Sequence, residues 1–261
     1  MKTMDAPTVS AAPATQMISP EPVILIEQLC VTFGTRVILD RFDLSVAKQE
    51  NVVVLGRSGA GKSVLIKCII GLLTPDSGDI LVFNKDVPKL DHLELDKMRA
   101  KVGFLFQNNA LYDSMTIREN LEFPLKRHWI GLTRQDVNDR VMDALNSVGL
   151  AYTVDMMPGE LSGGMAKRIA LARTLILKPE IILYDEPTTG LDPITAKEIS
   201  ELIVDLQKRF QTTSIIISHD MHCVKLVADR IAVLINGKCH ADGTYRELEQ
   251  STEEEVRGFF E

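Results

Sequence analysis

The chain has 261 residues, 45% of them hydrophobic and 25% charged, and it carries a formal net charge of −7. This length suits one large α/β core with a smaller lobe, and the mild acidity disfavours a nucleic-acid partner. The four cysteines form no Cys-x-x-Cys pair and no apolar run approaches about 18 residues, which disfavours a zinc or disulfide framework and a membrane-spanning helix.

The first 22 residues differ in composition from the rest of the chain. Residues 1–22 are rich in Ala, Pro, Ser and Thr and lack an apolar core, which predicts a disordered N-terminal tail and not a signal peptide. We expect a single domain over residues 23–250 and a helical tail over residues 251–261. The loose alternation of residues 23–33 predicts a first strand, and a second strand is predicted near residues 43–47.

A glycine-rich loop follows the next strand. The β-branched run Val52-Val53-Val54-Leu55 predicts a buried parallel strand. The residues after it match G-x-x-x-x-G-K-[ST], the pattern of a phosphate-binding loop; they are Gly56, Arg57, Ser58, Gly59, Ala60, Gly61, Lys62 and Ser63. The glycines bring backbone N–H groups against phosphate oxygens. Lys62 places a cation near the β- and γ-phosphates, and Ser63 offers a hydroxyl to Mg²⁺.

The loop leads into a predicted helix over residues 62–70, whose N-terminus favours a bound anion. The strand before the loop and the helix after it disfavour the alternative of a turn without a ligand. This region therefore predicts a nucleoside triphosphate site.

The middle of the chain changes from strands to helices. Residues 74–78 predict a turn before a strand over 79–83, and residues 101–106 predict a strand that ends at Gln107. From about residue 108 to residue 177 the pattern turns helical, which predicts a helical subdomain inserted into the α/β core. Gln107 is placed to reach a metal ion or a water from the sheet edge, and a polar strand end without a ligand is the alternative.

Two carboxylates end the next apolar strand. Asp185 follows Ile181-Ile182-Leu183-Tyr184, which places it at the edge where open α/β sheets bind ligands. We assign it to Mg²⁺, opposite Ser63. Glu186 points differently and suits a general base that polarises the attacking water. Solvated acids at a simple strand end are the alternative.

A histidine and a second glycine-rich helix start complete the candidate residues. His219 ends a predicted strand over residues 214–218, where it can hydrogen-bond the γ-phosphate and the attacking water; a structural histidine is the alternative. Leu161-Ser162-Gly163-Gly164-Met165 precedes a predicted helix and forms a further anion site, although the pattern alone also fits an ordinary helix cap. Because the chain already has one phosphate cradle, a second makes sense if it serves a partner subunit.

Strands and helices alternate to the end of the chain, with a helix over residues 194–210 and a strand over residues 230–234. Such alternation predicts an α/β fold with a mostly parallel sheet and helices on its faces. The acidic run Glu253-Glu254-Glu255 is expected to form the first turn of a terminal helix.

These motifs, in this order, resemble the ATP-binding subunits of ABC transporters from about Val23 onward. The matching elements are the Walker A loop at residues 56–63, the Q-loop Gln107, the signature at residues 161–165, the Walker B strand at residues 181–185, Glu186, the D-loop Gly190-Leu191-Asp192 and the switch His219. The resemblance implies the P-loop NTPase fold of ABC ATPases, in which an antiparallel β region and an inserted helical subdomain accompany the mostly parallel sheet.

The resemblance also assigns residues to ATP and Mg²⁺. It implies nucleotide contacts from Phe33, Gly56, Arg57, Ser58, Gly59, Ala60, Gly61, Lys62, Ser63, Val64, Ser162, Gly163 and Gly164. It implies metal contacts from Ser63, Gln107 and Asp185, and catalytic roles for Glu186, His219 and Gln107. Phe33 lies where the family's adenine-stacking aromatic is found, often a Tyr, and a place in the core is its alternative.

The implied mechanism needs two copies of the chain. Two ATP molecules are sandwiched in a homodimer, so that Ser162 and Gly164 of one subunit close on the γ-phosphate held by Lys62 of the other. Hydrolysis reopens the dimer and drives an integral-membrane permease. The implied location is the cytoplasmic face of the inner membrane, reached through that permease.

Finer features look like the Mla-type ATPases of MCE phospholipid transport systems. These features are residues 106–116, residues 119–125, Met157-Pro158-Gly159-Glu160, Asp192-Pro193-Ile194-Thr195, and the tail Val256-Arg257-Gly258-Phe259-Phe260. The signature ends in Met165 where Gln is common; Ser162 and the backbone donors remain, so we expect activity to persist. The implied partners are a permease dimer, an MCE-domain protein and a small STAS-domain regulator, and the implied cargo is phospholipid or a related lipid.

Other functions share part of this pattern. An importer ATPase for a small polar solute has every catalytic residue, and only residues 108–125, expected to meet the permease, favour lipid. A soluble ABC ATPase acting on ribosomes or DNA is disfavoured because the chain has neither a second ATPase domain nor a long coiled coil. A GTPase is disfavoured because Asn84-Lys85-Asp86-Val87 lacks the Asp of N-K-x-D. The presence of Glu186 and His219 disfavours a non-hydrolysing subunit.

Overall fold

The computed structural model describes residues 21–128 and 131–261. The tail predicted for residues 1–22 therefore lies, up to residue 20, outside the described residues. The strands in the described ranges are β1 Ile24–Phe33, β2 Arg36–Val46, β3 Asn51–Leu55, β4 Ser77–Val82, β5 Lys85–Asp86, β6 Val102–Leu105, β7 Ile181–Asp185, β8 Thr213–Ser218, β9 Arg230–Ile235 and β10 Lys238–Gly243.

Helices connect most of these strands. They are α1 Lys62–Ile69, α2 His92–Arg99, α3 Ile117–Arg127, α4 Arg134–Ser147, α5 Gly163–Leu175, α6 Pro193–Phe210, α7 Met221–Val227, α8 Tyr245–Glu249 and α9 Glu254–Arg257, with short 3₁₀ turns at Val87–Lys89, Ala151–Thr153 and Pro158–Glu160. Within the described ranges, no helix has the length and hydropathy that a membrane crossing requires.

The strands form two sheets. A six-stranded sheet has the order β10-β9-β3-β8-β7-β6 and is parallel except for the β9–β10 pair. A four-stranded antiparallel sheet has the order β2-β1-β4-β5. The predicted α/β class, with a mostly parallel sheet and an antiparallel region, is confirmed.

Burial explains why the central strands read as continuous apolar runs. Every residue of β3 and β8 is buried, because helices or the second sheet cover both faces. Val52 and Val54 belong to a core shared with α1 and the antiparallel sheet, whereas Val53 and Leu55 belong to a core shared with α5 and α6. The alternation of side chains along one strand thus feeds two hydrophobic cores.

The parallel register places the candidate residues at one edge. Leu55 pairs with Ser218, Ile217 with Asp185, and Leu105 with Tyr184. The residues that follow these strands therefore leave the same carboxyl edge of the sheet. Three α-helices and two of the 3₁₀ turns lie between β6 and β7, and no strand lies among the described residues there.

The sequence interpretation missed several surface elements. β2 begins at Arg36, seven residues earlier than the position predicted for its start, because it forms a hairpin with β1 in which Phe33 pairs with Arg36. β10 alternates between exposed and half-buried residues, and α2 buries only Met98. β10 and α2 bury little apolar surface, so their sequences carry little periodic signal. The missed part of β2 buries Leu39 and Phe42, whose spacing of three does not match the alternation of a strand.

Candidate ATP site

The phosphate loop connects the buried strand β3 to α1. Gly61 has φ 106°, and a Cβ there would lie 2.9 Å from Ile38 Cγ2, so both backbone and space require glycine. Gly61 is also the N-cap of α1, and it has no side chain to accept from the helix. The first-turn N–H groups are therefore free to bind an anion, whose charge the helix dipole favours.

Lys62 lies beneath this loop. Its side chain is 7% exposed, and Nζ donates to the carbonyls of Gly56 at 2.7 Å and Arg57 at 3.1 Å. Nζ is also 3.9 Å from Glu186 Oε1. Burial lowers the pKa of Lys62, and the negative charges of Glu186 and Asp185 oppose that shift. The carbonyl oxygens and the carboxylates together hold the Lys62 ammonium at the position where the phosphates of a nucleotide would bind.

Ser63 and Asp185 meet across the site, although they are 122 positions apart in the chain. Ser63 Oγ donates to Asp185 Oδ1 at 3.2 Å. Burial raises the pKa of the Asp185 carboxyl, the Ser63 hydrogen bond lowers it, and the charge of Glu186 raises it. A hydroxyl beside a carboxylate whose charge lacks full compensation is a donor set that fits Mg²⁺, which prefers oxygen ligands.

Glu186 has an unusual backbone conformation for its type, with φ 51°. The side chain is nearly buried, and Oε2 lies 2.8 Å from His219 Nδ1 and accepts from Thr189 Oγ1 at 3.3 Å. The Glu186 N–H donates to the Ile217 carbonyl at 3.0 Å, which fixes the turn after β7. The carboxylate is therefore oriented by His219, which follows β8, on one side and by Thr189 of its own turn on the other.

A cavity of about 420 Å³ gathers most of the predicted site. Its lining residues are Arg36, Ile38, Ser58, Gly59, Gly61, Lys62, Ser63, Val64, Gln107, Glu186 and His219. Asp185 joins it through the hydrogen bond to Ser63. The structure thus brings Gln107, Glu186 and His219 to one space, above the phosphate loop.

A second cavity, of about 500 Å³, adjoins the first and shares four lining residues with it. Its lining comprises Arg36, Val37, Ile38, Arg57, Ser58, Gly59, Ala60, Leu234, Ile235, Asn236, Gly237, Glu255 and Phe259. Although it is the larger of the two, it lacks Lys62, Glu186 and His219, so the chemistry belongs to the first cavity. Gly56 lines neither; a Cβ there would lie 2.8 Å from the Leu234 carbonyl oxygen.

Phe33 ends β1 beside the hairpin turn. Its side chain is 50% exposed, so the alternative that places it in the core is wrong. It lines neither cavity. An exposed aromatic ring at this position is available for stacking, and that role stays a prediction.

The signature residues lie apart from this site. Ser162 is the N-cap of α5 and its hydroxyl accepts from the Met165 N–H at 3.3 Å. Gly164 allows close packing, because a Cβ there would lie 2.7 Å from Thr195 Cγ2 in the first turn of α6. Ser162 and Gly163 are exposed and line neither cavity. Within one chain, the second glycine-rich helix start does not contribute to the ATP cavity.

Several residues that build the site carry no motif. Arg36 and Ile38 line the cavity from the part of β2 that was not predicted. Thr189 holds Glu186, and Asp220 caps α7 while accepting from Thr188 Oγ1 at 3.0 Å. Their positions in the sequence could have suggested these residues, because each lies within three residues of a predicted site residue or of the β1–β2 turn.

Comparisons with known proteins agree with this geometry. A family model described as ABC transporter matches residues 39–189. The intermembrane phospholipid transport system ATP-binding protein MlaF of Haemophilus influenzae is 40% identical over 237 residues, covering 90% of this chain and 89% of that protein. The methionine import ATP-binding protein MetN of Rhizobium johnstonii is 36% identical over 243 residues, covering 93% and 67%.

A solved structure extends the agreement to three dimensions. The dimeric post-hydrolysis state of the ATP-binding cassette MJ0796, bound to ADP and Pi, superposes with a TM-score of 0.77 and 30% sequence identity. The match covers 85% of this chain and 98% of that one.

Proposed function

This chain belongs to the ABC transporter family as an ATP-binding and ATP-hydrolysing subunit, and we propose that the cargo it helps to move is phospholipid or a related lipid. The observation that carries this proposal is the 40% identity, over 90% of the chain, to a protein named for intermembrane phospholipid transport. The segments at residues 106–116 and 119–125 resemble the same type of ATPase.

We assign the chemistry to the cavity above the phosphate loop. The free N–H groups of α1 and the Lys62 ammonium bind the phosphates, together with the loop residues Gly56 to Val64. Glu186 polarises the attacking water as general base, and the His219 contact keeps its carboxylate turned toward the cavity. His219 and Gln107 donate to the γ-phosphate side of the site. What supports these roles is the cavity that Lys62, Ser63, Gln107, Glu186 and His219 line together.

Ser63, Asp185 and Gln107 are proposed to hold Mg²⁺. Their hydroxyl, carboxylate and amide oxygens are the donors that this ion prefers. When bound, Mg²⁺ neutralises charge that develops on the phosphates. The Ser63–Asp185 hydrogen bond keeps two of these donors adjacent, and the raised pKa of Asp185 reflects a buried charge that a cation would stabilise.

Two copies of the chain are proposed to act together. Ser162, Gly163 and Gly164 are exposed or half-buried and lie outside the ATP cavity of their own chain. A solved relative with 30% identity is dimeric with ADP and Pi bound. We assign the signature of one subunit to the γ-phosphate bound by the other, so that ATP holds the dimer closed.

An exposed aromatic surface is proposed to meet the permease. Tyr112 and Phe123 have ring centroids 4.9 Å apart and are 43% and 36% exposed, and Phe106 is 42% exposed. Exposed aromatic clusters of this kind mark contact sites for other proteins. We place the subunit at the cytoplasmic face of the inner membrane, on an integral-membrane permease, with an MCE-domain protein and a STAS-domain regulator as further partners.

The test is purification of the intact complex. The chain is used as bait on detergent-solubilised membranes of its native host, with mass spectrometry of the recovered proteins and lipids, and a Tyr112→Asp/Phe123→Asp variant as control for the proposed permease contact. Recovery of a permease with an MCE-domain protein and phospholipid supports the proposal, and the control variant should lose all of them.

A small polar solute is the second candidate cargo, because MetN, named for methionine import, is 36% identical over 93% of the chain. Recovery of a permease with a solute-binding protein, and without lipid above the background of the control variant, would replace lipid by that class. Recovery of no membrane protein would overturn both transport assignments.

A further inference from the structure

A buried lysine joins the signature helix to Gln107. Lys167 lies in α5 with 2% of its surface exposed, and its Nζ donates to the Gln107 carbonyl at 2.9 Å. Within residues 21–128 and 131–261, this carbonyl is the one hydrogen-bond acceptor within reach of the ammonium. A buried charge is costly unless it is hydrogen-bonded, so this contact is a fixed part of the fold.

The same helix also holds Asn109 and Ala110. Arg173 donates through Nη2 to the Asn109 carbonyl at 2.9 Å and through Nη1 to the Ala110 carbonyl at 2.6 Å. A guanidinium that bonds two successive carbonyls fixes the direction of the backbone as well as its position. Residues 107–110, called here the Gln107 segment, are thus bonded to α5 at both ends.

The Gln107 segment needs this support, because its local geometry is unfavourable. Asn109 and Ala110 have φ of 60° and 53°, in the left-handed region, which Asn tolerates but Ala rarely adopts. The buried Asn109 Oδ1 has no hydrogen-bond partner among the described residues. Strained conformations persist only where surrounding contacts enforce them, and here those contacts come from α5.

We propose that Lys167 and Arg173 are positioning residues, which fix the Gln107 segment so that the Gln107 side chain lies in the ATP cavity. α5 starts at the signature and packs closely on β6, since a Cβ at Gly103 would lie 2.6 Å from Thr174 Cγ2. The two cations therefore connect the signature helix of a subunit to that subunit's own ATP cavity. The catalytic consequence rests on the role proposed for Gln107.

Amide hydrogen exchange tests, without an activity assay, whether Lys167 and Arg173 fix the Gln107 segment. The N–H of Asn109 donates to the Phe106 carbonyl, and that of Ala110 to the Asn108 carbonyl, so their amide hydrogen exchange reports on the Gln107 segment. In the full chain, Lys167→Met should accelerate exchange in residues 106–112 by about 10- to 100-fold, the effect of losing a hydrogen bond to a charged group. Exchange of the phosphate loop should stay unchanged.

Two further variants keep this result interpretable. Lys178→Met alters an exposed lysine just beyond α5 and should leave exchange in residues 106–112 as it is. Arg173→Met removes two bonds from a less buried site and should accelerate the same residues, and Arg173→Lys should recover part of the protection. Wild-type exchange of residues 106–112 in both Met variants overturns the proposal.

The ATPase rate then separates positioning from plain stability. Lys167→Met should lower kcat for ATP about 10-fold or more and change KM less than about 3-fold, since misplacing a reacting group affects the chemical step. In a Gln107→Ala background, Lys167→Met should add little further loss. An equal loss in both backgrounds overturns positioning through Gln107. If Gln107→Ala alone has the wild-type rate, the role proposed for Gln107 is wrong, and the exchange result still decides the connection.

Discussion

Two helices of this chain start on glycine-rich segments, and their surroundings differ. α1 starts at Gly61, which leaves the first-turn N–H groups free above the buried Lys62. α5 starts at Ser162, whose hydroxyl already accepts from Met165, and both Ser162 and Gly163 are exposed. Both are helix N-termini, which favour anions, but the first lines the ATP cavity beside the buried Lys62 and the second does not line it.

This difference indicates that the residues around a helix N-terminus, and not its glycine-rich sequence alone, decide whether it can bind phosphate. The first start lies at the end of a fully buried central strand, and three other strand ends supply Gln107, Asp185 and His219 beside it. The second start is exposed to solvent at Ser162 and Gly163, and its Gly164 packs closely on Thr195 in the first turn of α6. We infer that the first binds ATP by itself and that the second acts when another subunit closes on it.

The largest effect should come from Glu186→Gln, which preserves both helix starts and removes the proposed general base. Hydrolysis should fall by about 10² to 10⁴, the usual contribution of such a base, while ATP still binds. ATP should then trap the dimer and bring the two starts together. Phosphate release and size-exclusion chromatography with ATP measure both effects.

Glu180→Gln is the matched control, because Glu180 is an exposed acid just before β7 that pairs with Lys101. A Glu186→Gln protein that hydrolyses normally and stays monomeric would show that the role given to Glu186 is wrong.

Lys62→Ala should disable the first helix start alone. The lost ammonium should weaken ATP binding by about 10- to 100-fold, as expected for hydrogen bonds to a charged group. Titration calorimetry with a non-hydrolysable ATP analogue measures the affinity. Lys67→Ala, an exposed lysine on the same helix, should bind nearly as the wild type does. Wild-type affinity of Lys62→Ala would contradict the assignment.

Ser162→Ala should disable the second helix start alone. The affinity of the isolated subunit for ATP should not change, whereas hydrolysis by the dimer should fall about 10-fold if Ser162 donates to the partner's phosphate as proposed. Thr133→Ala provides the control, since Thr133 caps α4 in the same way and lies outside both cavities.

Ser162→Ala and Thr133→Ala should each lower the free energy of unfolding by about 1 kcal/mol, the usual contribution of an N-cap. Equal ATPase rates for the two would mean that Ser162 is only a cap, and the contrast between the two helix starts would disappear.

The smallest expected effect is a pH-dependent change in the melting temperature. Burial and the charge of Glu186 raise the pKa of Asp185 above its ordinary value near 3.8. The folded state therefore binds this proton more tightly than the unfolded state, and ionised Asp185 costs stability above its folded pKa. Asp185→Asn should raise the melting temperature at pH 7.5, and the gain should shrink as the pH falls toward 4.5.

Calorimetric scans of both proteins without nucleotide measure this difference. Asp205→Asn, which replaces an exposed carboxylate on α6, is the matched control. A gain for Asp185→Asn that is constant with pH, or a loss at pH 7.5, would contradict the assignment of a destabilising charge to the phosphate-loop site.

The sequence predicted best where residues are buried in regular patterns. The α/β class and the ABC family are confirmed, because β3, β7 and β8 are apolar strands followed directly by motif residues. The start of β2, the edge strand β10 and the surface helix α2 were missed, because pairing or a single buried residue, and not a periodic apolar run, holds them.

The residues of the candidate site likewise fall into those that the sequence predicted and those that it missed. Local sequence pointed to Lys62, Asp185, Glu186 and His219, since each follows a recognisable strand or loop. It did not point to Lys167, Arg173 or Thr189, whose partners lie on other elements or in a turn without a motif.

By itself, the sequence determined the chemistry that is available: a glycine loop with a lysine, carboxylates at strand ends, and a second glycine-rich helix start. Only the tertiary structure decided which of these groups meet. Parallel register brings four strand ends to one edge, and burial turns Lys62 and Asp185 into charges that need partners. The physical reason is that a chain fixes its local conformations through short-range forces, whereas burial and charge pairing depend on contacts between residues far apart in sequence.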